Sequence, residues 1–151
     1  MAMPDFLRAC PLFHELFDKE IEKIAKRATV HTFEEGDSII KDGEEGDEIF
    51  VLLQGGAMVQ KEAPNGIIKI QPLNPGDVFG ELVLLDIRTR SADIVATTES
   101  HILELKYGDI FELYKKEPKI FGLLILNLAR LLASRLRNAS ETISKMQKTA
   151  A

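Results

Sequence analysis

"EIFVLLQGGAMVQKEAPNGIIKIQPLNPGD", Glu48 to Asp77, alternates short aliphatic and β-branched runs with turns that carry glycine. Runs of about four to eight such residues, bounded by Gly, Pro and Asn, read as successive strands. Pro64-Asn65-Gly66, set between two apolar runs, is a strong hairpin signal because Asn and Gly accept the positive φ of a tight β-turn. It joins "AMVQKEA" to "IIKIQPL". The same punctuation extends upstream through "TVHTF", "SIIK" and "DGEEGD", and downstream to Lys106. Turn signals this close together predict a mainly β fold, an antiparallel jelly-roll-like β-barrel over 29–106, rather than a βαβ sheet. Gly36, Gly43, Gly46, Gly55, Gly66 and Gly76 each stand where a strand run stops, where a residue without Cβ can take positive φ.

On either side of the barrel the apolar spacing becomes helical. From Asp5 to Ala28, Leu7, Leu12, Phe13, Leu16, Phe17, Ile21, Ile24 and Ala25 recur mostly three or four residues apart, and Asp18 is the expected N-cap of the second stretch. After Tyr107, "GDIFELYKKEP" and the long run from Lys119 to Met146 return to this spacing, with Pro118 suited to the first turn of the last helix. The expected organisation is one domain over 1–151: a helical lead-in (1–28), the barrel (29–106) and C-terminal helices (107–151).

Composition sets the surroundings. Hydrophobic residues at 45% and charged residues at 28% are globular values, and no apolar run is long enough to span a bilayer. The opening MAMPDFLRAC lacks the basic and apolar regions of a secretory signal, so a cytoplasmic location is the expectation. Cys10, the single cysteine, excludes an internal disulfide or a thiolate cluster and reads as a small core residue. The net charge of −5 conceals a basic stretch, Arg130 to Ala151, at +4; this reads as a solvated helix face.

The chemistry concentrates in "FGELVLLDIRTRSADIVA", Phe79 to Ala96, where Glu81 and Arg90 stand nine positions apart among residues that otherwise read as buried. Gly80 allows close approach of a ligand to the backbone, and "ELVLLD" suits a short helix with free N-terminal amides. A guanidinium suits phosphate oxygens, whereas a carboxylate would repel phosphate and accept a hydrogen bond from a hydroxyl. One acid and one base together point to a sugar phosphate. An ion pair between Glu81 and Arg90 that ties down a loop satisfies the same residues equally well.

From Leu12 to about Arg137 the chain resembles the cyclic-nucleotide-binding domains of the catabolite-activator and cAMP-dependent-kinase regulatory-subunit type. Phe79-Gly80-Glu81-Leu82 followed by Arg90-Ser91-Ala92 is similar to that family's phosphate-binding cassette, and "EEGDSIIKDGEEGDEIFVLLQGGAMV" and "LNPGDVFGE" resemble its glycine-punctuated approach. The resemblance implies that Glu81 accepts the ribose 2′-hydroxyl, that Arg90 pairs with an exocyclic phosphate oxygen, that Leu82 and Ala92 add backbone donors, and that Gly80 provides clearance. Ser91 follows the arginine, as in the bacterial activator, which gives a lean to cAMP over cGMP. The chain departs from the pattern at Ile87-Arg88-Thr89-Arg90, where glycine and proline are frequent in the family. Arg88 is expected to face solvent. On the long helix, Arg135 and Leu136 stand where the activator has a Thr-Ser pair on the purine, so Arg135 is expected to stack over the base as a cap.

The last helix carries Ile120, Leu123, Leu124, Leu128, Leu131, Leu132 and Leu136, with Ile125 and Leu126 widening the stripe, an apolar surface for more than one neighbour. The resemblance implies a homodimer through Leu128 to Met146; packing back onto the barrel is the alternative. No catalytic function is expected: His14, His31 and His101 lie in separate segments, without the paired histidines of metal-dependent enzymes of related barrel shape, and no metal or cofactor is implied. After Met146 only "QKTAA" follows, so no DNA-binding domain is expected within this sequence, nor a kinase, cyclase or channel segment. A regulatory domain with an unidentified downstream partner is the expectation. The competing class is an interaction module of the same fold that binds no nucleotide.

Overall fold

The apolar runs become strands β1 (Thr29–Phe33), β2 (Ser38–Ile40), β3 (Glu48–Gln54), β4 (Ala57–Ala63), β5 (Gly66–Leu73), β6 (Val78–Phe79), β7 (Asp93–Ala96) and β8 (Ser100–Lys106). The computed structural model describes residues 3–150; Met1, Ala2 and Ala151, the outermost residues of the expected domain, lie outside the described residues. The strands form two four-stranded antiparallel sheets in the orders β1-β8-β3-β6 and β2-β7-β4-β5, the jelly-roll arrangement expected. Ala63 pairs with Gly66 across the two-residue turn Pro64–Asn65, where the hairpin signal placed it.

β3 shows why "EIFVLLQ" carries almost no polar residue. Ile49, Val51 and Leu53 point to one face and join a core cluster with the helices, while Phe50 and Leu52 point to the other and pack inside the barrel with Ile40, Leu73, Phe79, Ile94 and Ile102. A strand covered on both faces loses the alternating pattern of a half-buried one. β5 is the contrasting case, an edge strand with Ile67, Ile68 and Ile70 each more than half exposed.

The lead-in consists of α1 (Met3–Arg8), a 3₁₀ turn at Pro11–Phe13 and α2 (Asp18–Ala25). Asp18 is not the N-cap: Phe17 takes that position with an extended backbone, and Asp18 is the first helical residue. The Phe17 N–H donates to the Glu20 carboxylate at 2.9 Å, so an acid three residues into the segment reaches back to satisfy the end.

α3 (Tyr107–Lys116) leads into α4 (Pro118–Ala150), which opens on Pro118 as the sequence indicates. α4 has two unlike halves. Ile120, Leu124 and Leu128 are buried against the core, whereas every residue from Leu136 to Thr149 is exposed. Asn127, 2% exposed, fastens the packed half: its Nδ2 donates to the Leu12 carbonyl at 2.9 Å and the His14 carbonyl at 2.8 Å.

Cys10 is buried with its Sγ 3.1 Å from the Gly76 carbonyl, and loss of hydration pushes the thiol up to about 11. The native thiol should therefore react with iodoacetamide at pH 8 far more slowly than in urea-unfolded protein; equal rates would show that it is accessible. Asn127→Ala should lower stability to chemical denaturation by about 2 kcal/mol, because two carbonyls lose a shared donor at a site with little water. A change in the midpoint within error would show that α4 does not need this anchor.

Candidate functional site

β6 delivers the chain to Gly80, in the left-handed region at φ 73°, and a 3₁₀ helix follows over Glu81–Leu85. Asp86 then takes φ 62° and ends the helix, its N–H on the carbonyls of Leu82 and Val83. Aspartate tolerates this conformation better than a branched residue does. The segment after it is stitched to the loop before β3. Gly46 N–H donates to Arg88 O at 3.0 Å, Arg90 N–H to Glu44 O at 2.8 Å and Gly43 N–H to Arg90 O at 2.8 Å.

Between this segment and the β2-β7-β4-β5 sheet lies a cavity of about 210 Å³. Phe79, Gly80, Glu81, Leu82, Arg90, Ser91 and Ala92 line one part of it, and Arg135 reaches it from α4. All eight residues singled out in the sequence thus meet at one opening. The sheet contributes Ile40, Val59, Leu73 and Ile94, an apolar surface interrupted by Gln71.

Arg90 is largely enclosed, with its side chain 9% exposed. Its Nη2 donates to the Glu48 carbonyl at 2.9 Å and lies 3.2 Å from the Glu48 carboxylate; its Nη1 stands 3.5 Å from the Gly80 carbonyl. The guanidinium carbon is 5.9 Å from the Phe50 ring centre, and that ring stacks on Phe79 at 5.2 Å. Two glycines make this possible. A Cβ on Gly46 would stand 2.5 Å from Nη2, and one on Gly80 would stand 2.9 Å from Nη1. The missing side chain at Gly80 thus leaves room for Arg90 and for the Glu48 carbonyl. Gly46 is not in the positive-φ region that its place at a strand end suggested; clearance for the guanidinium is what its missing side chain provides.

Glu81, 8% exposed, does not pair with Arg90. Its carboxylate is held by the guanidinium of Arg135, whose Nη2 also donates to the Val78 carbonyl at 2.5 Å. The loop-tying Glu81–Arg90 ion pair is thus absent, replaced by two separate pairs, Glu48–Arg90 and Glu81–Arg135. Arg135, expected over a purine, is engaged at the carboxylate instead. Arg88 does not simply face solvent: its Nε donates to Asp86 at 3.1 Å and its guanidinium carbon lies 4.7 Å from the Tyr107 ring centre, where the aromatic face attracts a cation.

Sequence reasoning missed Glu48, Gly46 and Gln71. Glu48 sits in a run of acids, Glu44, Glu45, Asp47 and Glu48, and nothing local separates the one that turns inward from its neighbours. Gln71 differs: a polar residue within "IIKIQPL", two before the buried Leu73, is on the face that enters the barrel, and that parity was legible.

The chain is 32% identical over 137 residues to a cAMP-dependent protein kinase regulatory subunit of Mycosarcoma maydis, covering 91% of this chain and 24% of that protein. It is 30% identical over 139 residues to Glutaminase 1 of Bradyrhizobium diazoefficiens, covering 92% of this chain and 22% of that protein. It therefore spans about a quarter of the length of these relatives. The crystal structure of the Thermus thermophilus catabolite activator protein superimposes with a TM-score of 0.78 at 30% identity, over 91% of this chain and 63% of that one. Residues 30–117, more than half of the sequence, match the profile of the cyclic nucleotide-binding domain, and the chain belongs to that family.

Proposed function

We propose that the cavity binds a cyclic nucleotide, cAMP in preference to cGMP, and that the chain is a regulatory sensor rather than an enzyme, relaying occupancy through α3 and α4. The observation that carries this reading is the meeting of Glu81 and Arg90 at one cavity while neither is spent on the other. Arg90 supplies a fixed positive charge for the cyclic phosphate, and Glu81 an acceptor for the ribose 2′-hydroxyl. Backbone amides at Leu82 and Ala92 complete the phosphate side, with Ser91 beside it. Ile40, Val59 and Leu73 offer apolar surface to a base. The preference for cAMP rests on the Arg-Ser-Ala order and on two similar proteins whose names refer to cAMP.

Relay requires that the ligand bind one arrangement of the helices more tightly than another, since a ligand indifferent to both shifts nothing. Arg88 against Tyr107 and Arg135 against Glu81 join the cassette to the helices on two sides. The readout surface is α4. Leu126, Ala129, Ala133, Leu136, Ser140 and Ile143 are exposed at alternating three- and four-residue spacing, a seam suited to the same helix of a second copy. The proposed assembly is a homodimer through Leu128 to Met146, acting in the cytoplasm on a downstream protein. No helix among the described residues is long and apolar enough to cross a membrane.

Isothermal titration of cAMP and cGMP into protein stripped of ligand by unfolding and refolding should give micromolar or tighter binding, stronger for cAMP, that Arg90→Leu abolishes. No heat from folded protein with either nucleotide would favour the interaction module. Gly46→Val should weaken binding about tenfold or more and lower the thermal midpoint, because the added atoms push the enclosed Arg90 guanidinium off its Glu48 partners. Sedimentation should show a dimer that Leu136→Glu dissociates; a wild-type monomer at high concentration would remove the assembly.

A further inference from the structure

Glu81 is nearly as enclosed as the apolar core, yet its natural partner in the cassette, Arg90, is committed to Glu48. The partner it has instead comes from 54 residues away on another element, and that partner, Arg135, is the last residue of α4 before the continuously exposed stretch from Leu136 to Thr149. Arg135 grips Glu81 by Oε1 and the Val78 carbonyl with its other terminal nitrogen. This two-point hold fixes the orientation of the guanidinium, which anchors the carboxylate at Oε1. An ionised carboxylate accepts at both oxygens, so with Oε1 on Arg135 the remaining Oε2 is left to receive a hydroxyl.

We propose that Arg135 is the positioning residue for Glu81, and that the cavity's discrimination between a ribose and a deoxyribose ligand depends on α4 holding that arginine in place. The proposal rests on the cyclic-nucleotide reading given above. It assigns Arg135 a task different from stacking on a base: the residue acts through the carboxylate, on the sugar. With α4 displaced, Glu81 loses its orientation and the 2′-hydroxyl loses its fixed acceptor, while the Arg90–phosphate contact is retained. Sugar recognition and the position of α4 thereby become one linked event.

The test is the ratio of affinities for cAMP and 2′-deoxy-cAMP, measured by titration calorimetry in the wild type, Arg135→Leu and Arg135→Lys. The wild type should favour the ribose ligand by roughly tenfold or more, the worth of a hydrogen bond to a charged acceptor. In Arg135→Leu that ratio should collapse towards one, with the deoxy ligand little changed. Arg135→Lys, which keeps the charge but not the two-point hold, should give an intermediate ratio. An undiminished ratio in Arg135→Leu overturns the proposal, as does equal weakening of both ligands, the result expected if the arginine only caps the base or stiffens the fold. Tighter binding of the ribose ligand by Arg135→Leu overturns it too, because the arginine would then be a competitor for Glu81. Should Arg135→Leu fail to fold, an Arg135→Lys ratio equal to the wild type's overturns it alone. A wild type that binds neither nucleotide sinks the cyclic-nucleotide reading itself, whereas a wild type that binds both equally removes only the role given to Glu81 and Arg135.

Discussion

A guanidinium taken almost out of water must recover its hydration from fixed partners, because an uncompensated charge in that position costs several kcal/mol. Arg90 meets this constraint with the Glu48 carbonyl and carboxylate and with the Phe50 face, and its backbone is bonded on both sides to the loop before β3. The arrangement reaches well beyond one side chain. It requires no side chain at Gly46, none at Gly80, and an acid at the start of β3 that points inward. It also requires that β3 and β6 be neighbours, which places Phe50 against Phe79 beneath the charge. The cassette is therefore shaped by what Arg90 needs as much as by what a ligand would need.

The second acid–base pair ties the cassette to the helices. Arg135 stands at the boundary where α4 stops packing on the domain and becomes a free surface. Above it Ile120, Leu124, Asn127 and Leu128 hold the helix to the 3₁₀ turn at Pro11–Phe13 and the core. Below it, Leu136, Ile143 and Met146 are exposed. Packing back onto the domain, the alternative to a homodimer, thus holds for the first half of the helix and not for the second. A charged contact at the dividing line, Arg135 on Glu81, connects the cavity to the free half.

Much of the fold was legible because its signals are local. The Pro64-Asn65-Gly66 hairpin, the short strand runs and Pro118 at the head of α4 depend on φ preferences and spacing that the chain carries within a few residues. The α2 cap was misread at Asp18 for a related reason: two acids stand in the first turn, and which one reaches the orphan N–H depends on the exact approach of the chain, not on composition.

The sequence by itself determined the barrel, its flanking helices and the eight residues that meet at the cavity, since periodicity, turn chemistry and the cassette pattern all lie along the chain. Only the tertiary structure decided how their charges are paired. Glu48 and Arg90 are 42 residues apart, and Glu81 and Arg135 are 54 apart. Spacing over such distances carries no geometric information, because the choice among many possible partners is made by strand register and helix packing. For the same reason Gly46 reads as a turn residue in one dimension and as clearance for a buried guanidinium in three.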